Sequence, residues 1–348
     1  MNLLVLFMGH IAMVVTNACA PDPRVERHAR WLVEEGHTVD IFAWDREMRY
    51  PALEHRHGYK IHRKQYGWTK KAGSIRTWFR KKKFIANLKL SADLVILNDT
   101  DTANVEFKGR KILDIHDMAH TWPLMRGNTP FHRFASRMML SDAKMIMKNV
   151  DAIITSAPGF KKWIESEGCE STVIMNRRNP KPMDLMQEKV VGYFGRIRDT
   201  DSMSMMIAAA KLAEFRVIAA GDGLAVEKML KNDPDMDYRG PFTEEELPKL
   251  IKEISVMYAM YSPERGNIAE GAIPTKMLDA AAFGRPSVVN QNTPMGELCE
   301  NEKLGVTAPY GDIIKIAESL EKAHGMVIRN VKNDDRESFL SVIGGILD

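Results

Sequence analysis

The stretch IPTKMLDAAAFGRPSVVN (273–290) reads as a short helix leading into a buried strand. Pro274 suits the first helical position, where an N–H would be unpaired anyway, and Gly284 suits the end. Ser287 to Val289 then reads as a strand covered on both faces, because no polar residue alternates with the apolar ones. With Ala280 to Phe283 in one run, the helix packs against a sheet. Two charges interrupt this apolar pattern, Lys276 in the first turn and Asp279 three residues later. A cation is poorly placed at a helix start, whose free N–H groups favour an anion. Either the two form an i,i+3 surface pair, or the helix start holds a diphosphate. In the second reading Lys276 meets the phosphates and Asp279 accepts the hydroxyls of a ribose. The apolar surroundings favour the second reading.

The same strand-then-turn design recurs nearby. VVGYFGR (190–196) is a strand running into Gly195-Arg196, with Arg198 two residues on. Glycine lets a ligand approach the backbone, and arginine offers a planar fork for phosphate. FRVIAAGDG (215–223) repeats the pattern and ends at Gly221. Taken alone, each is more simply a tight turn between strand and helix. Thr243 and Glu246 read as a capping box for a helix over 243–253, and SVMYAMYS (255–262) as another buried strand.

In the first half, strands are expected near 11–15, 38–43, 93–97, 111–115, 151–155 and 171–175. Helices are expected near 24–35, 74–90, 130–148 and 158–167. Asn179-Pro180-Lys181-Pro182 breaks the pattern and reads as a linker. Strand and helix alternate twice over, which predicts an α/β chain of two doubly wound parallel-sheet domains facing a cleft. Ligands in such sheets bind beyond the carboxyl ends of the strands.

The composition agrees. The 348 residues are 45% hydrophobic and 27% charged, enough for two substantial cores. Most of the 23 methionines read as adaptable core filler. The three cysteines, Cys19, Cys169 and Cys299, show no metal-ligand spacing and point to a reducing compartment. Residues 1–180 carry 29 Lys and Arg against 19 Asp and Glu, whereas the remainder is acidic. That asymmetry suggests an anionic partner for the first half. No Arg-Gly repeat, finger spacing or RNP-like strand points to nucleic acid. The start, MNLLVLFMGHIAMVVTNACA, resembles a secretory signal but lacks a basic leading region, and Gly9-His10 interrupts it. We read it as the first strand, with Met8 a candidate natural start and residues 1–7 without a defined role.

Several segments together resemble a known family. DPRVERHARWLVEEGHTVDIFAWDRE (22–47), KILDIHD (111–117), VDAIITSAPGF (150–160), VVGYFGR (190–196) and IPTKMLDAAAFGRPSVV (273–289) follow the order seen in retaining GT-B glycosyltransferases, most like the large family 4 type. The resemblance spans about residues 8–325. It implies two Rossmann-like domains: residues 1–180 on the acceptor side and 181–325 binding a nucleotide sugar. Residues 326–348 are read as a C-terminal tail helix packing back on the first domain. It also implies no metal or other cofactor, because Arg, Lys and a helix start neutralise the donor diphosphate.

Carried over by position, Gly195, Arg196, Arg198, Gly221, Glu270, Pro274, Thr275, Lys276 and Asp279 form the donor-binding set. Arg196 and Lys276 match the diphosphate-binding residues. Asp279 stands where the family has the ribose-binding Glu of its E-x7-E motif. The first acid of that motif falls on Gly271, with Glu270 as a neighbouring substitute. The family's Lys a few residues beyond the Gly-Arg turn is absent, and Arg198 is the nearest basic residue. His116 resembles the family His beside the reacting carbon, and is the catalytic candidate. Without the resemblance it reads equally as a His satisfied by Asp114 or Asp117. Asp22, Arg24 and Asp117 are acceptor-side candidates, the first two read mainly as an N-cap-like turn facing the cleft.

Residues 67–84, GWTKKAGSIRTWFRKKKF, place Ile75, Trp78 and Phe79 on one helical face among seven Lys and Arg. An ordinary sheet-packed helix with a solvated basic side is the simpler reading. Contact of residues 68–84 with an anionic membrane is the alternative. The expected function is a cytoplasmic glycosyltransferase, peripheral on the inner membrane face in the second case. It would move a sugar from a nucleotide sugar to a glycan or lipid-linked acceptor. Alternatives are a sugar-nucleotide 2-epimerase on the same fold and a degenerate, non-catalytic partner subunit. No GxGxxG follows the first strand of either half, which argues against a dinucleotide dehydrogenase.

Overall fold

Runs of branched apolar residues, each about five long, form the centres of two sheets in a computed structural model. It describes residues 8–69, 75–102, 104–263 and 265–348. Expectations about residues 1–7, and about the 70–74 part of the basic stretch, lie outside the described residues. The chain divides into two units, Met1–Met175 with Asp334–Asp348, and Asn176–Asn333.

The first unit contains β1 (His10–Val15), β2 (Thr38–Trp44), β3 (Leu53–Arg56), β4 (Tyr59–Lys64), β5 (Leu94–Asn98), β6 (Arg110–Ile115), β7 (Ala152–Thr155) and β8 (Thr172–Val173). They lie in the order β3-β4-β2-β1-β5-β6-β7-β8, parallel except for the β3–β4 pair. Every residue of β5 is buried, as expected of a strand covered on both faces. Helices α1 (Pro23–Glu34), α2 (Ile75–Ala86), α3 (Pro130–Met147) and α4 (Pro158–Ser166) connect the strands. Asp22 caps α1 by accepting from Val25 N, and Glu26 accepts from Asp22 N in return. Val25, Ala29 and Leu32 of α1 pack on one side of the sheet. Phe84 and Ile85 of α2, Ile146 and Met147 of α3 and Ile164 of α4 pack on the other.

The second unit contains β9 (Val190–Phe194), β10 (Arg216–Ala220), β11 (Asp237–Tyr238), β12 (Val256–Tyr258), β13 (Ser287–Asn290) and β14 (Gly305–Ala308). All neighbours are parallel, in the order β11-β10-β9-β12-β13-β14. Its helices are α5 (Thr200–Leu212), α6 (Val226–Asn232), α7 (Leu247–Lys252), α8 (Gly266–Ala269), α9 (Thr275–Ala282), α10 (Pro294–Asn301) and α11 (Ile313–Ala323). The strand order runs outward in both directions from β9. This makes its carboxyl end a topological switch point, the place where such sheets bind ligands. The last helix, α12 (Asp335–Leu347), belongs to the first unit, where Phe339 and Ile343 join the core beside α1.

The doubly wound α/β reading of both halves is therefore correct, with local corrections. The β3–β4 hairpin is additional. Its turn residues His57 and Gly58 have φ of 47° and 87°, a conformation expected of Asn-Gly more than His-Gly, and Lys60 and Lys64 are exposed on β4. Pro274 is the N-cap of α9 with ψ 123°, not its first helical residue, so the helix begins one residue later. Helix α7 is shorter than 243–253. Glu246 does accept from Thr243 N at 2.7 Å, but Pro248 shortens the helical run. Only 256–258 of the stretch 255–262 is strand, and only 172–173 of 171–175.

Candidate active site

In the second unit, three elements converge at the carboxyl end of β9. Gly195 follows β9 and Gly221 follows β10. Gly221, at φ 134°, lies so close that an added Cβ would sit 1.8 Å from the Gly195 carbonyl oxygen. Only glycine fits there. The first turn of α9 stands over the same turn, with Lys276 Cε 3.7 Å from where a Gly195 Cβ would lie.

Lys276 is 7% exposed. Its Nζ sits 3.0 Å from the centre of the Tyr193 ring and 5.3 Å from that of Tyr261. Among the described residues it has no hydrogen-bond partner. Burial holds this amine well below the ordinary lysine range, and the Arg265 cation lowers it further. A buried ammonium without an acceptor is costly, and the missing counter-charge is what an anion would supply.

The surface-pair reading of Lys276 and Asp279 is excluded by this geometry. Lys276 is buried, and Asp279 pairs instead with Arg178, whose Nε donates to Oδ1 at 2.5 Å. Arg178 also bonds Glu244. A cavity of about 140 Å³ lies beside this group, lined among others by Phe242, Leu247, Met257, Thr275, Lys276 and Asp279. That is below the roughly 300–1,000 Å³ of a pocket for a whole drug-sized ligand, and suits a single ring with the rest outside. Arg196 and Arg198 are exposed immediately after Gly195, and Glu270 is exposed in the turn after α8. Gly271 has φ 106°, a conformation that L side chains rarely adopt. The acid that the family motif places there is absent, and this backbone would strain one.

In the first unit, His116 sits just past β6 between two carboxylates. Its Nε2 lies 3.2 Å from Asp114 Oδ2 and its Nδ1 3.7 Å from Asp99 Oδ2. Burial alone would lower its pKa, but these two carboxylates outweigh that and raise it to about 9. The imidazole is therefore a cation at neutral pH, a donor rather than a base. Asp99, at φ 64°, accepts from the backbone N of His116 at 2.7 Å and of Asp117 at 3.1 Å, and burial raises its pKa to about 7. Asp114 is held well below the usual carboxylate range by Arg24 and His116, against the effect of burial.

The structure gives Arg24 a different task from the acceptor contact expected of it. The guanidinium is 4% exposed and grips Asp114 through Nε and Nη2, with Nη1 donating to Ile174 O. It positions the carboxylate that positions His116. Asp22 is occupied as the cap of α1 and by Asn17 Nδ2 at 2.7 Å. Asp117 accepts from Trp122 Nε1 and Met118 N, closing its own turn. Sequence reading missed Arg178, Tyr193 and Asp99. Arg178 and Asp99 carried no motif, and Tyr193 looked like one more apolar strand residue. Among the described residues no three His, Cys, Asp or Glu side chains are grouped to hold a metal ion.

Residues 188–325 match the family described as Glycosyl transferases group 1. That match spans less than half of the chain, and the architecture of the whole is the GT-B fold. No curated protein matches the sequence significantly. Among solved structures, sucrose-phosphate synthase from Thermosynechococcus elongatus is similar at 16% identity and TM-score 0.69, covering 95% of this chain and 94% of that one. Anabaena HepE in complex with UDP and glucose has 15% identity and TM-score 0.62, with 98% and 96% covered. The catalytic domain of starch synthase IV from Arabidopsis thaliana, bound to ADP and acarbose, has 11% identity and TM-score 0.63, with 97% and 95% covered. At these identities the likeness is one of fold.

Proposed function

We propose that this protein is a retaining glycosyltransferase that moves a sugar from a nucleoside diphosphate sugar to a glycan or lipid-linked acceptor in the cytoplasm. The observation that carries the proposal is Lys276. It is a buried amine, without a hydrogen-bond partner among the described residues, in the first turn of α9, facing the Gly195 turn at the switch point of the sheet. Lys276, the N-terminal N–H groups of α9 and the exposed Arg196 neutralise the departing diphosphate, so that side chains rather than a metal ion stabilise the leaving charge. Asp279, oriented by Arg178, takes the ribose hydroxyls. The small cavity by Phe242 takes the base. His116, as a cation, donates a hydrogen bond to a sugar hydroxyl through Nδ1, which lies 3.7 Å from Asp99, beyond hydrogen-bond distance. The relatives bound to UDP with glucose, or to ADP, support a nucleotide-sugar partner.

Charge-assisted hydrogen bonds contribute about 1.5–3 kcal/mol each. Lys276→Ala therefore lowers kcat/KM by about ten- to a hundredfold, measured as UDP or GDP release with a sugar-nucleotide panel first ranked by thermal shift. Wild-type-like turnover in the variant would defeat the assignment. The second reading is a nucleotide-sugar binder without catalysis. It is favoured by the glycine at 271 and by the occupation of Asp279 by Arg178. Thermal stabilisation by a nucleotide sugar without release of nucleotide would select it over the transferase. Sugar inversion without net release would select a 2-epimerase.

A further inference from the structure

Helices α2 and α3 pack on the same side of the first unit's sheet. A helix packed that way ordinarily turns a polar side to water. These two do not. On α3, Phe131, Phe134, Met138 and Met145 fall at spacings of three, four and seven residues, so they form one stripe. They are 72%, 61%, 45% and 54% exposed. On α2, Trp78 and Phe79 are exposed side by side, with ring centres 4.9 Å apart. Leu124 and Met125, in the short turn before α3, are exposed as well.

Cations frame these apolar groups. Residues 75–86 and 124–148 together hold ten Lys and Arg and a single acid, Asp142. Arg76, Lys82, Lys83, Arg126, Arg133, Arg137 and Lys148 are all exposed. Lys82 Nζ lies 3.9 Å from the Trp78 ring centre. Two of the ten are neutralised locally, Lys81 by Asp101 and Lys144 by Glu167.

We propose that this α2–α3 face docks on an anionic lipid bilayer, Phe131, Phe134 and Trp78 entering the headgroup layer while the framing cations meet lipid phosphates. The chemistry selects this occupant over others. A second copy of the face would set like charges against each other. A nucleic acid backbone matches the cations but offers nothing to Met138, Met145 or Leu124. Hydrocarbon beneath a layer of phosphates matches both. No helix among the described residues is long and apolar enough to cross a membrane, so the contact proposed is a peripheral one.

The test is co-sedimentation of the full chain with vesicles of phosphatidylcholine alone or mixed with phosphatidylglycerol. Binding is expected to the mixed vesicles only, and to weaken steeply as salt is raised. The triple variant Phe131→Ser, Phe134→Ser, Met138→Ser should bind at least about tenfold more weakly. The pair Lys82→Glu, Arg137→Glu should lose at least about twentyfold, at about fivefold per cation. All five positions are exposed, so an unchanged thermal transition confirms folding in each variant. Absence of binding, equal binding to neutral vesicles, or variants that bind like wild type would each overturn the proposal. So would a dimer in light scattering that the serine variant dissociates while neither protein sediments with vesicles. None of these readouts requires turnover, so their failure is distinct from failure of the transferase reading.

Discussion

At the scale of single residues, burial decides what the charged side chains can do. Lys276 looks from its spacing like half of a surface ion pair. Its buried position over the Tyr193 ring, with no acceptor among the described residues, disfavours the charged form until an anion arrives. His116 shows the opposite balance. Two carboxylates override the burial and raise its pKa from the ordinary 6.5 to about 9. The ion-pair contribution of this His is full below pH 6.5 and is lost as pH rises through about 9. Histidine NMR titration should thus show one imidazole with an apparent pKa near 9, absent in His116→Gln and moved downward in Asp114→Asn. A normal value near 6.5 would remove His116 as a neutral-pH cation. Gly271 marks the residue-scale limit of sequence reading. Its missing acid is visible in the sequence, but the positive φ that would strain one is not.

At the scale of elements, the helix–strand grammar was legible wherever apolar runs were long. β1, β2, β5 and β6 stand within a residue or two of where their apolar runs put them, because a strand buried on both faces must be apolar throughout. The β3–β4 hairpin escaped notice because one of its faces is charged and its turn is His-Gly. Helix α12 is the clearest case of an element whose role only packing shows. Phe339 is fully buried and stacks on His28 at 4.2 Å, with Trp31 at 5.8 Å. Phe339→Ala should cost about 3–5 kcal/mol of stability, read as a lower urea midpoint by tryptophan fluorescence. A loss below about 1 kcal/mol would mean that α12 is not part of the first unit's core. His28 in turn contacts Asp114 at 3.2 Å, so α12 is linked through the core to the carboxylate that orients His116.

At the scale of the whole molecule, the two units carry different parts of the proposed chemistry. The residues proposed to bind the donor diphosphate and ribose lie within Asn176–Asn333. Hydrogen exchange with added UDP should therefore slow first at 190–197, 219–223 and 273–283, by up to about 2.7 kcal/mol at a hundred times Kd. Protection confined to the first unit would place the donor elsewhere. By itself the sequence determined the two alternating α/β halves, the glycine turns after β9 and β10, and the helix start at 274–276. These are local matters, set by periodicity, by backbone freedom and by capping. Only the tertiary structure decided that Arg178 holds Asp279, that Arg24 serves Asp114 rather than a substrate, and that α12 completes the first core. Those pairings join residues that are mostly about 90 or more positions apart in the chain, and no local pattern records which distant partner will satisfy a buried charge.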